Sequence, residues 1–181
     1  SVALGFNALT TQNPATAVNM YNTAVGYGAG AAVTTGIQNT LIGGLAGDAL
    51  TTGYENTAIG TNALASDTLG SRSTALGRGA LFTQNLTTAT ETFNVAVGIY
   101  TGGGMTTGID NTLIGSLAGD ALTDADKNTA LGRSALTADT LGSFSTAIGY
   151  AALSTQNFTT ATNTYNVAVG YNAGLSLTTG I

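Results

Sequence analysis

One five-residue core recurs ten times along this chain, at positions 1–5, 22–26, 39–43, 56–60, 73–77, 94–98, 111–115, 128–132, 145–149 and 166–170. The starts are 21, 17, 17, 17, 21, 17, 17, 17 and 21 residues apart. A unit of 17 residues is thus nested in a super-repeat of 72, three short units and one long. Two such super-repeats occupy 22–93 and 94–165, with partial copies at both ends. A unit this short cannot bury an apolar face alone and must stack on its neighbours, so the chain is restricted to a repeat architecture. We read 1–181 as a single array and as an excerpt of a longer fibre.

Each position of the core has a narrow vocabulary. Position one is Asn or Ser, position two Thr or Val, position three Ala or Leu, position four Val, Ile or Leu, and position five always Gly. Apolar spacing of two, frequent glycine and β-branched residues argue against helix. The glycine ends a strand where a turn needs positive φ or close backbone approach. Seventeen residues are then expected to hold two short strands and two turns, one coil of a parallel β-solenoid. The expected fold is therefore all-β: a β-roll of about ten coils of 17 or 21 residues, roughly 48 Å long at the strand spacing of about 4.8 Å.

Alternation puts positions two and four on one face of the strand and position three on the other. The expectation is that positions two and four point inward. Val25, Ile42, Ile59, Leu76, Val97, Ile114, Leu131, Ile148 and Val169 would then stack as a core ladder. Ala24, Ala58, Ala75, Ala96, Ala130, Ala147 and Ala168 would face outward as a flat packing surface for further copies of the chain. Asn at position one suits side-chain amide ladders between coils.

Composition narrows the functions. Only 7% of residues are charged, glycine occurs 26 times, Pro14 is the one proline, and 43% of residues are hydrophobic. That is not the low-hydrophobicity, high-charge profile of a disordered chain. The net charge is −5, and Arg72, Arg78, Lys127 and Arg133 are the only basic residues, so nucleic-acid binding is not expected. No apolar run is long enough for a membrane-spanning helix. Without His or Cys, neither a Ser-His-Asp triad nor a thiol nucleophile can form. We expect no enzyme activity and no cofactor.

The cores "NTAIG" (56–60), "NVAVG" (94–98) and "STAIG" (145–149) resemble the head repeats of YadA-like trimeric autotransporter adhesins and related β-roll repeats of bacteriophage tail fibres. The resemblance covers all ten units. It implies a homotrimer of parallel β-rolls outside the cell, on a virion or a bacterial surface, attaching to a cell-surface glycan or protein receptor. The units of 17 and 21 residues are longer than those of the adhesin heads, and Thr often stands where Val is usual. The regular super-repeat suggests a spacer in a tail fibre; an adhesin head or filament is the alternative.

The long units add four residues every fourth coil, about 19 Å apart along the rod. Tyr21, Phe93, Tyr165, Gln84 and Gln156 lie there and are candidate surface-contact residues, for a carbohydrate among other partners. Thr88, Thr90 and Thr92, like Thr160, Thr162 and Thr164, alternate along one face. Such arrays suit ice binding, but they return only every fourth coil, and Thr23, Thr40 and Thr57 are expected to point inward. Asp124, Asp126 and Asn128 open like a calcium loop but lack its glycine and closing Glu, so a polar turn is expected. Asp48 and Asp120 recur in "AGDAL" and are expected to cap or solvate a turn. Asn85 and Asn157 begin glycosylation sequons.

Overall fold

The computed structural model describes residues 1–181. It contains no helix. Ten three-residue strands form one parallel sheet in chain order: Val2–Leu4, Thr23–Val25, Thr40–Ile42, Thr57–Ile59, Thr74–Leu76, Val95–Val97, Thr112–Ile114, Thr129–Leu131, Thr146–Ile148 and Val167–Val169. Each strand pairs with the same positions of the next coil, as in Thr57↔Thr74, Ala58↔Ala75 and Ile59↔Leu76. The β-solenoid of about ten coils expected from the repeat is the observed fold. The expected second strand of each coil forms only where a long coil stacks on the short one before it: Gly70–Ser71 pairs with Thr90–Glu91, and Gly142–Ser143 with Thr162–Asn163, while the other coils have one strand and close by turns.

The position-five glycines show why no other residue occurs there. Their φ lies near +130°, and they stack on one another. A Cβ on Gly60 would sit 2.6 Å from the carbonyl of Gly77, closer than any side chain can be accommodated.

Inside and outside are the reverse of the expectation. Ala24, Ala58, Ala75, Ala96, Ala130 and Ala147 are fully buried and Ala168 nearly so. They lie inside their own coil and cannot meet a second chain. Ile42, Ile59, Ile114, Leu131 and Val169 are exposed, while Val25, Leu76, Val97 and Ile148 are only partly covered. The supposed core ladder is therefore an outer column, and Thr23, Thr40 and Thr57 at position two flank it on the same outer face.

Coil width is the physical cause. The interior is one side chain deep, and position three meets the residue six places further on. In four coils the Ala at position three, Ala58, Ala75, Ala130 or Ala147, faces Leu64, Leu81, Leu136 or Leu153. Where position three is Leu41 or Leu113, it is Gly47 or Gly119. A Cβ on Gly47 would approach Leu41 Cδ2 to 2.8 Å. Two large residues cannot share this space, and where both are small, as in Ala24 with Gly30 and Ala96 with Gly102, a leucine of an adjacent coil reaches in: a Cβ on Gly30 would lie 2.7 Å from Leu41 Cδ1, and one on Gly102 3.0 Å from Leu81 Cδ2. The leucines that face Ala accept left-handed backbone to fill the space; Leu64 has φ 53° and Leu136 55°. Such strain in a bulky residue persists only where packing outweighs it.

The position-one asparagines other than Asn166 are buried and bind mainly backbone rather than forming the expected amide ladder. Asn56 Oδ1 accepts the N–H of Ser73 at 2.9 Å, and its Nδ2 donates to the Gly70 carbonyl at 3.0 Å. Asn39, Asn94, Asn111 and Asn128 repeat this pattern. Amide-to-amide contacts, as from Asn39 to Asn22 at 3.3 Å, are secondary.

Candidate functional surface

The outer face of the sheet is built by two columns two residues apart. One carries Thr23, Thr40, Thr57, Thr74, Thr112, Thr129 and Thr146, with Val2, Val95 and Val167 in the remaining coils. The other carries the aliphatic residues just described. No charged residue occupies either column. Nine strand gaps of about 4.8 Å and two-residue spacing give about 43 Å by 7 Å, roughly 300 Å² between the columns alone.

The threonine hydroxyls of this column have no hydrogen-bond partner within the chain. A second threonine rank does not share that property. Thr34, Thr51, Thr106 and Thr123 each donate to a backbone carbonyl of the next coil, at 3.0–3.2 Å. In the same rank, Thr68 and Thr140 reach Asn85 Oδ1 and Asn157 Oδ1 on the long coils.

Aromatic and basic residues border the strand face at the residue before position one and at the residues after the glycine. All four basic side chains sit over a ring of the following coil: Arg72 over Phe93 at 5.6 Å, Arg78 over Tyr100 at 5.0 Å, Lys127 over Phe144 at 5.1 Å and Arg133 over Tyr150 at 5.8 Å. Arg72 also pairs with Glu55 and Glu91, each at 2.9 Å. Phe6 stacks on Tyr27 and Tyr150 on Tyr171, with interplanar angles of 13° and 12°. These ring faces are turned toward neighbouring coils, which favours a role in coil-to-coil adhesion over open platforms for a sugar.

The structure divides the five candidate contact residues of the long coils. Tyr21, Phe93 and Tyr165 are exposed, each with positive φ just before position one. Tyr165 lies 5.2 Å from the Phe144 ring. Gln84 and Gln156, in contrast, are fully buried and cannot touch an external partner. They stand eleven residues after position one, where other coils carry Val33, Leu50, Met105 and Leu122 inside.

Each glutamine is the centre of a buried polar network. Gln84 Nε2 donates to Asp67 Oδ2 at 2.6 Å and to Ser73 Oγ at 2.9 Å, while its Oε1 accepts from Asn94 Nδ2 at 3.0 Å. Asp67 also accepts the Gly70 N–H at 2.9 Å. One super-repeat later, Gln156 joins Asp139, Ser145 and Asn166 in the same way. The Asp139 carboxylate further accepts from Gly142 and Phe158. Burial pushes the Asp67 carboxyl above its ordinary value, against the opposing pull of its N–H donors. No basic side chain faces either carboxylate. Thr92 and Thr164 turn inward to Ser73 and Ser145, which breaks up the threonine arrays expected on the long loops.

The remaining motifs resolve into local contacts. Asp124 accepts from Thr107 Oγ1 at 2.6 Å and Asp126 from the Ile109 N–H at 2.8 Å. Asp120 accepts from Thr137, but Asp48 has an Oδ1 without a partner, because Ala65 stands where Thr137 does one super-repeat later. Asn85 and Asn157 are exposed. No pocket opens on the surface, so the sheet face is the most extended candidate site. Comparison with protein-family models, with curated proteins and with solved structures finds no match for this chain.

Proposed function

We propose that the chain is a structural and attachment segment of an extracellular fibre, a phage tail fibre or similar appendage, in which three copies pack together on the threonine–aliphatic face. The carrying observation is that face: an uncharged apolar column beside hydroxyls without partners, continuous over ten strands. Its roughly 300 Å², threonine column included, is about the size of the largest patch on a typical monomer, which is often a functional surface. The association surface is thus the face that carries the aliphatic column, with the alanines underneath it. Rods of this kind span distance, and the long coils, with Tyr21, Phe93 and Tyr165 exposed, supply its lateral contacts to a cell surface. A carbohydrate-binding role for those loops has less support, since Gln84 and Gln156 are interior.

Mass in solution tests this reading. A trimer that dissociates when Ile59→Asp and Ile114→Asp are introduced is the expected result. A second reading has one observation in its favour, the regular array of free hydroxyls: left uncovered, the face would present them to ice. A wild-type chain that stays monomeric at high concentration and separates freezing from melting would replace the fibre reading with that one. A monomer without such activity would leave neither.

A further inference from the structure

The strands of the ten-stranded sheet cannot tell one coil from the next. Thr-Ala-Val pairs with Thr-Leu-Ile, and that with Thr-Ala-Ile, through identical backbone bonds. Shifted by one coil, the same ladders would form. A chain made of near-copies therefore needs something else to specify which coil lies on which. The interior column eleven residues after position one supplies it: two apolar residues alternate with one Asp–Gln pair.

We propose that the buried Asp–Gln pairs, Asp67 with Gln84 and Asp139 with Gln156, are register locks that fix the order of stacking. Each pair bridges two successive coils, the acid on the short coil and the amide on the long one. A slip of one coil would put the Asp67 carboxylate against Leu or Met, where no side-chain N–H could receive it. Gln84 would lose its acceptor in the same movement. The Gly70 N–H of the same coil would stay with the carboxylate, but burying a charge that has lost its side-chain donor is heavily penalised. Leucines at positions three and nine also differ between coils, but a flexible apolar side chain can repack, whereas a buried carboxyl without its amide donor must either carry an unpaired charge or take up a proton, and both are costly. A slip of four coils, one super-repeat, is the only one that restores the pairing. The inference is independent of what covers the outer face.

Refolding fidelity tests it. The variant Asp67→Leu, Gln84→Leu, Asp139→Leu, Gln156→Leu would be diluted from denaturant beside wild type and beside Leu50→Ala, a control that weakens the same column without touching a pair. Peptide-resolved hydrogen exchange then reads how many populations form at each coil. The expected result is one population for wild type and control, and several for the apolar variant, with its terminal coils unprotected in part of the sample. A single native population in the apolar variant would overturn the proposal, as would equal heterogeneity in the control. Failure of the apolar variant to fold at all would also overturn it, because the pairs would then hold the fold together rather than its alignment. The exchanged pair Asp67→Gln, Gln84→Asp should restore a single population.

Discussion

Two neighbouring substitutions separate the interior of the coil from its outer face. In Ala58→Asp, a carboxylate replaces a fully buried methyl group in a space already filled by Leu64. No basic residue lies in that interior, so the charge is unpaired, and such burial costs about 3–5 kcal/mol. At roughly 2–4 °C per kcal/mol for a chain of this size, melting should fall by about 6–20 °C. Ile59 is 37% exposed. Full burial of an isoleucine contributes about 1.5–3 kcal/mol, so Ile59→Asp should cost the isolated chain about 1–2 kcal/mol. Thermal denaturation followed by circular dichroism, at concentrations where each variant is monomeric, compares them directly. At higher concentration Ile59→Asp should lose the self-association that wild type shows. An Ile59→Asp chain that melts as low as Ala58→Asp while monomeric would refute the inside–outside assignment and the interface built on it.

Asn111→Ala removes the bonds to the Ala125 carbonyl and the Asn128 N–H and leaves both buried groups without their side-chain partner; denaturant unfolding should show a loss of about 2–4 kcal/mol. Ala65→Thr should stabilise by about 1 kcal/mol, because it gives Asp48 Oδ1 the hydroxyl that Thr137 gives Asp120; an unchanged unfolding midpoint would contradict that match. Burial raises the Asp67 carboxyl above its ordinary 3.8. A carboxyl raised in the folded state contributes stability that is present below 3.8 and is lost as pH rises through its folded value. Wild type should therefore gain in melting temperature relative to Asp67→Asn as pH falls from 7 toward 4, and a constant gap between the two would count against it.

The solenoid was legible because its signals are local and repeated. The spacing of ten glycines gives the coil, and Thr-Ala-Ile alternation gives the strand. Which face is interior was not legible from alternation, since a period of two assigns positions two and four to one side without saying which. Hydrophobicity suggested that Ile59 goes inward and Ala58 outward. Available width decides otherwise: the space behind the strand admits Ala with Leu, Leu with Gly, or Ala with Gly where a leucine of an adjacent coil reaches in, and no ladder of β-branched residues at position four. The signal was present in the sequence as the compensation between Leu41 and Gly47, and between Ala58 and Leu64. Two residues that trade volume at a fixed spacing face each other, whatever their hydropathy.

The same test of interior fit explains the long coils. Gln84 and Gln156 looked like recognition residues because they are polar, repeated and placed where the rhythm breaks. Counted from position one, they instead fall in register with Val33, Leu50, Met105 and Leu122, a column that is buried elsewhere. A polar residue in an apolar register calls for a partner one coil away, and Asp67 and Asp139 stand there. Tyr21, Phe93 and Tyr165 occupy the left-handed position before the strand, where neighbouring coils carry Gln38, Glu55, Asp110 and Lys127, so exposure was readable for them by the same count. In a stack of near-identical coils, the residue's place within the unit governs whether it meets solvent, and its chemistry then shows what it must find there.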